Sequence, residues 1–226
     1  MSDMLYKSKN AIIAYKPAGM PTQGDKSGDT DLMSVLSAKL KAEGEHSELY
    51  LIHRLDRVVG GLLVFALNKA AAAELSSLVQ GDGLGKEYLA VVEGRAEGGE
   101  MCDYLRKDGI IGKAFVTESG HKDAKEARLT YSPLAYATVD GRECTLVKIK
   151  LITGRFHQIR AQFSHRGMPL VGDGKYGSRL RTVKMPSLFA YRIEANLFGE
   201  RIFAGALPPL DTKPWNAFSK EIYPSD

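Results

Sequence analysis

His53, Arg54, Asp56 and Arg57 fall within five positions in HRLDR, directly before VVGGLLVFALN. A carboxylate between two guanidiniums stays ionised, because nearby positive charge favours the charged form. That suits a nucleophile or a base and does not suit a general acid. The plainer reading is a solvated turn with a surface ion pair, a weak interaction in water. A second cluster, GRFHQIR, puts Arg155 in the first turn of an expected helix, where a cation opposes the macrodipole. An arginine there meets an anion, either a phosphate or the Asp56 carboxylate, or else faces solvent. The i, i+5 spacing turns Arg155 and Arg160 towards different partners. A third segment, GKEYLAVVEG, sets Tyr88 early on a strand. It is either a core or rim tyrosine or an aromatic face on which a base could stack.

Other motifs lack the context their chemistry needs. GDGKYG at 172–177 matches G-x-G-x-x-G in letters, but a dinucleotide site requires a strand before it and a helix after it. An expected helix and Met168-Pro169 precede it instead, and Asp173 would repel a pyrophosphate, so the stretch reads as a glycine-rich turn. GDGLGK at 81–86 lacks the Walker spacing and its Ser or Thr. The five histidines never sit at metal-ligand spacing, and no G-x-S-x-G elbow occurs, so no metal site is expected. Cys102 and Cys144 form neither a ligand pair nor a disulfide framework, which points to a reducing, intracellular compartment. The N-terminus has too short an apolar stretch for a signal peptide, and no run approaches the length of a membrane span. A cytoplasmic protein without a membrane partner is expected.

The formal charge is only +4, but it is unevenly placed. Between Arg155 and Lys184 lie seven Lys or Arg against one acid, Asp173, giving that block +6 and leaving −2 for the remainder. A basic block on a near-neutral body is the footprint of a polyanion binder or, more plainly, a solvated basic face.

The elements that must position these residues follow from pattern. At 226 residues the chain forms one domain, at most with two lobes. A short strand is expected at 11–15, stopped by Lys16-Pro17. A helix capped by Thr30 or Asp31 runs to about Lys41, with Leu32, Val35, Leu36 and Leu40 on one face. The run 62–67 reads as a buried strand, and Asn68 then caps a helix carrying Ala71, Leu75, Leu78 and Val79, closed by Gly81. Strands are expected at 87–94 and 145–153, the latter with Val147, Ile149 and Leu151 inward and Lys148 and Lys150 outward. Residues 101–126 read as irregular or strand-rich. A helix starting near 155 carries Phe156, Ile159 and Phe163 on one face and ends at Gly167, and 187–205 form a hairpin turning near Gly199. Antiparallel-type strands with scattered helices, and no βα repetition, argue an α+β fold.

At the three chemical segments the chain resembles the RluA-type family of RNA pseudouridine synthases. HRLDRVVGGLLVFALN is similar to that family's H-R-L-D-R-x-T-S-G-L-L motif, and GRFHQIRAQFSHRGMPLVGDGKYG to its G-R-T-H-Q-I-R … G-x-P-[IL]-x-G-D-x-x-Y-G block. KPAGMPTQ, KEYLAVVEG and SLFAYRI add matches in the family's order, so the resemblance spans about residues 10 to 205. It departs at Val59-Gly60, where the family has Thr-Ser, and at Phe156, where threonine is common. KPAG begins at residue 16, so the separate N-terminal S4-like RNA-binding domain of many relatives is expected to be missing, and RNA recognition would fall to the catalytic domain alone.

The resemblance implies the pseudouridine synthase catalytic fold: a central, largely antiparallel bent sheet, peripheral helices and a basic cleft, with residues 1–226 as a single catalytic domain. It makes Asp56 the catalytic aspartate, attacking C1′ or C6 or abstracting a 2′ proton. In each route the bond to N1 breaks, the uracil rotates and C5 rejoins C1′. Arg155 would pair with the aspartate, Tyr88 would stack on uracil and could assist proton removal from C5, Arg54 would enter the space left by the flipped base, and Leu188 would line the pocket. No cofactor is implied, since substrate and product are isomers. The implied partner is rRNA or tRNA, bound by a monomer. Two other classes compete: a glycosidase-type hydrolase, which would want a second carboxylate that no motif supplies, and a catalytically silent RNA-binding module.

Overall fold

Strand β1 (Met4–Lys7) and strand β2 (Ala11–Lys16) pair antiparallel at the start of the computed structural model, which describes residues 3–45 and 48–224. Helix α1 (Leu32–Ala42) is capped by Asp31, whose carboxylate accepts from Ser34 N at 3.0 Å, and it buries Leu32, Leu36 and Leu40 at a spacing of four. Strand β3 (Tyr50–Leu51) is two residues long. Strand β4 (Gly60–Ala66) is buried at every position and pairs antiparallel with β2 and β3. Helix α2 (Lys69–Gln80) is capped as its sequence predicts, with Asn68 Oδ1 accepting from Ala71 N at 2.9 Å. Its buried Ala71 and Leu75 join Ile13, Leu62 and Val64 in one core.

Strand β5 (Gly85–Glu93) takes the chain out of a first compact unit, Met1–Lys86 with Ala190–Ala206, into a second, Glu87–Phe189 with Leu207–Asp226. There, strand β6 (Gly99–Asp108), strand β7 (Lys113–Thr117), strand β8 (Lys125–Val139) and strand β9 (Arg142–Leu151) follow one another. They pair antiparallel in the order β5-β9-β8-β6-β7. The stretch 101–126 is therefore mostly strand. Met101 and Leu105 are buried while Cys102 and Lys107 are exposed, so the period-two signal there is carried by few apolar residues. Pro133, which has no N–H to donate, sits where the β8–β9 register shifts.

Helix α3 (Gln158–His165) lays Ala161 against Leu105, Ala114, Ala127 and Tyr176. Strand β10 (Leu188–Leu197) re-enters the first unit at Ala190 and forms a hairpin with strand β11 (Glu200–Gly205). Its turn, Phe198-Gly199, has φ of 54° and 83°, the positive values a tight hairpin turn demands. Ile193, Leu197 and Ile202 complete the first core. Gly61 has φ +122°, and a Cβ there would lie 2.3 Å from the Ala190 carbonyl oxygen, so β4 tolerates only glycine at this position. The antiparallel α+β class expected from the sequence is the one that forms.

Candidate active site

In the first unit, the loop between β3 and β4 carries His53, Arg54 and Asp56. Its backbone is pinned at successive residues. Thr22 Oγ1 donates to the Leu55 carbonyl at 3.1 Å, Val59 N donates to the Asp56 carbonyl at 3.0 Å, and Gly19 N donates to the Arg57 carbonyl at 2.8 Å. Asp56 is partly buried and Arg54 is exposed. Arg57 is turned to the loop 19–29: its Nε donates to the Gly19 carbonyl at 3.1 Å, and its terminal nitrogen meets Ser27 Oγ at 3.0 Å and pairs with Asp29. His53 Nε2 accepts from Val64 N at 3.4 Å, so its proton sits on Nδ1. Burial, helped by the charge of Lys86, pushes this imidazole down to about 3, and it stays neutral.

Lys16 is the site residue that pattern reading passes over. It ends β2 with no exposed surface, and its ammonium donates to three carbonyls: Pro17 at 3.1 Å, Met20 at 2.7 Å and Arg57 at 3.1 Å. Three acceptors use all three protons of a lysine. Burial pushes it down to about 8, while the Asp56 carboxylate pulls the other way. Lys16 thus fixes the loop that presents Asp56 and places a buried positive charge within electrostatic reach of that carboxylate. The signal in the sequence is a lysine closing an otherwise apolar strand, with Pro-Ala-Gly behind it.

The second unit carries Tyr88, Arg155 and Leu188 on three separate elements. Tyr88 lies buried on β5 opposite Ile149 of β9. Leu188 is buried at the start of β10, next to Ser187, whose carbonyl accepts from Val91 N at 3.0 Å. Arg155 precedes α3 instead of sitting in its first turn. The reason is local: His157 is left-handed at φ 52°, and the helix begins only at Gln158. The expected conflict with the helix dipole therefore does not arise, and Phe156 is off the helical face it was expected to share. The helix has no side-chain cap, and Gln158 instead ties down the loop before it, its Oε1 accepting from Arg155 N at 3.0 Å and Thr153 Oγ1 at 2.8 Å, and its Nε2 donating to the Arg128 carbonyl at 3.1 Å. Arg155 Nε donates to the Glu126 carbonyl at 2.7 Å, and the residue is exposed.

Behind this loop, Tyr176 Oη accepts from Ala114 N at 2.7 Å and lies 3.0 Å from His157 Nδ1. Burial, with the charge of Arg160, pushes His157 down to about 3, so its ring is neutral. Arg160 and Asp173 form a buried bidentate pair at 2.6 and 2.9 Å. The basic block is therefore not one face: Arg160 is neutralised inside, and Arg166 pairs with Asp103 at 2.8 Å. Arg155, Lys175, Arg179, Arg181 and Lys184 remain exposed. Gly172 is forced, since a Cβ there would lie 2.3 Å from the Met185 carbonyl oxygen at φ +81°, which explains the GDGKYG glycine without a nucleotide. Among the described residues, no group of three His, Cys, Asp or Glu is placed to hold a metal ion, and no helix is long and apolar enough to cross a membrane.

The family described as RNA pseudouridylate synthase matches residues 10–165. The tRNA pseudouridine synthase C of Haemophilus ducreyi is 36% identical over 77% of this chain and 74% of its own length. The ribosomal large subunit pseudouridine synthase C of Rickettsia bellii is 34% identical over 77% of this chain and 56% of its own. Among solved structures, human RNA pseudouridylate synthase domain containing 1 is similar in fold, with a TM-score of 0.79 at 23% identity, covering 93% of this chain and 84% of that one.

Proposed function

The chain belongs to the RNA pseudouridylate synthase family, isomerases acting on RNA, and from that premise we propose that it converts specific uridines of rRNA or tRNA to pseudouridine with Asp56 as its catalytic residue and no cofactor. One observation carries the assignment of Asp56: its loop is pinned at Leu55, Asp56 and Arg57, and a buried ammonium lies within reach of its carboxylate. A nucleophile or base must be held still, and this loop is fastened at three successive carbonyls.

The remaining roles follow the resemblance. Arg155 supports the aspartate, Tyr88 stacks on the uracil, Leu188 lines its pocket, and Arg54 occupies the space of the flipped base, whose extraction costs a few kcal/mol. Arg54 is exposed, as a side chain that enters RNA must be. On this reading the chain works as a single catalytic domain, as a monomer in the cytoplasm. The relatives bear names of both RNA classes, tRNA and ribosomal large subunit, and the target here belongs to one of them.

Incubation with uridine-containing tRNA and rRNA, followed by nucleoside analysis, tests the proposal. Pseudouridine at discrete positions is the expected product. Released uracil would instead mean a hydrolase, and unchanged RNA that nonetheless binds would mean a silent binding module.

A further inference from the structure

A cavity of roughly 410 Å³ opens in the second unit beside β6, β7, β8 and the loop before α3. Arg106, Lys107, Lys125 and Arg155 line it against a single acid, Asp123. Arg106, Lys107 and Lys125 form no ion pair with any carboxylate among the described residues, unlike Arg128, Arg160 and Arg166 nearby. Four cations around one acid leave the cavity positively charged, and an anion in it relieves their mutual repulsion.

The aromatic in the wall decides which part of a nucleotide fits. Phe156 is stacked on His157 with centroids 3.8 Å apart, and Lys107 Nζ lies 4.6 Å from the ring centroid. No open ring face remains for a base. The guanidinium of Arg106 likewise lies over Phe115, at 5.6 Å. These contacts restrain the long side chains before any ligand arrives, which lowers the ordering cost of binding. The chemistry on offer is therefore for phosphate, and the volume is that of a small-ligand pocket.

We infer that this cavity binds a backbone phosphate of the RNA strand that carries the target uridine, an inference that rests on the function proposed above. It is distinct from the exposed basic residues at 175–184, and it draws three of its four cations from outside the Arg155–Lys184 block.

The test is the affinity of a short single-stranded oligouridylate for wild-type protein and for Lys107→Gln/Lys125→Gln, measured across a salt series. Loss of the one phosphate contact should lower the slope of log affinity against log salt by about 0.7, the value for a single strand. At low salt the double variant should bind about tenfold more weakly or worse. Lys107→Arg/Lys125→Arg keeps both charges and should retain the wild-type slope. Melting temperatures checked in parallel should match, since both lysines are exposed. An unchanged slope overturns the inference, and so does weaker binding at an unchanged slope, which would place the effect in the fold. Nucleoside analysis of the same wild-type protein separates the two proposals. Pseudouridine formation beside an unchanged slope removes the cavity alone. A lowered slope without pseudouridine keeps the cavity and removes the isomerase.

Discussion

Two loops, one in each unit, present the charged residues proposed for catalysis, and they are held by opposite means. The loop carrying Asp56 is gripped by a buried cation, Lys16, through three carbonyls. The loop carrying Arg155 is gripped by a neutral amide, Gln158, which satisfies Thr153, the Arg155 amide and the Arg128 carbonyl. A lysine would make an equally good donor to the Arg128 carbonyl, but it would set a second positive charge beside a guanidinium. A glutamine in place of Lys16 would supply too few protons for three carbonyls and no charge for Asp56. Each loop is thus fastened by a group compatible with the charge it displays.

Asp56→Asn keeps both fastenings and removes only the displayed carboxylate, so it should have the largest effect. Pseudouridine formation should vanish while oligonucleotide affinity changes little, and residual turnover above about a tenth of wild type would sink the assignment. Lys16→Met tests the charged fastening itself. The side chain keeps its length but leaves buried carbonyls without their donor, which should destabilise the protein by about 2–3 kcal/mol in urea unfolding. Turnover should fall with it, and stability and turnover both at wild-type levels would mean Thr22 and Gly19 hold the loop unaided.

Gln158→Leu is the matching change in the other loop. It should cost about 1–2 kcal/mol and reduce turnover less than Lys16→Met does. Gln158→Glu sharpens the comparison, because it restores the acceptor but adds a negative charge beside Arg155. If the sign of the fastening matters, turnover should drop further in this variant than in Gln158→Leu. Equal turnover in the two would leave only hydrogen bonding.

The smallest effect concerns a feature both loops share, a neutral, partly buried histidine. His53 and His157 sit near 3 in the folded protein, against about 6.5 for an unfolded histidine. Between those values the unfolded chain binds the extra protons, so stability should decline as pH falls below about 6.5, by about 1.4 kcal/mol per pH unit for each histidine. His157→Asn suits the left-handed backbone and cannot titrate. Proton uptake on unfolding at about pH 5.5 should fall by close to one in this variant. Unchanged uptake would show that His157 is already protonated in the fold.

What the sequence discloses depends on how strongly burial marks each segment. The strand at 60–66 is apolar at every position, and Asp31, Asn68 and the Phe198-Gly199 turn use ordinary cap and turn chemistry, so all were legible. Strands β6, β7 and β8 were harder. They carry residues such as Arg106, Lys107 and Lys125, which resemble loop composition until the partner strands are known. The cavity they line was invisible for the same reason, since its cations are separated in sequence. The motifs single out Asp56 and Arg155 as candidates, but they do not disclose the settings of these two residues. Arg57 was expected beside Asp56 and instead pairs with Asp29. Lys16 is the buried cation that pulls on Asp56, and charge patterning cannot register a lysine with no surface.

The order in which this chain leaves the ribosome has a consequence of its own. The core around Leu62, Val64 and Leu75 is finished only by Ile193, Leu197 and Ile202, and all of 87–189 is synthesised between them. At about 5–20 residues per second, the nascent Asp56 segment waits roughly 7–27 seconds for the strands that seal it. During that interval β4 offers an apolar edge where Gly61 will later meet Ala190. A stalled or truncated product ending before residue 190 would keep that edge bare, making early termination a route to aggregation for this protein.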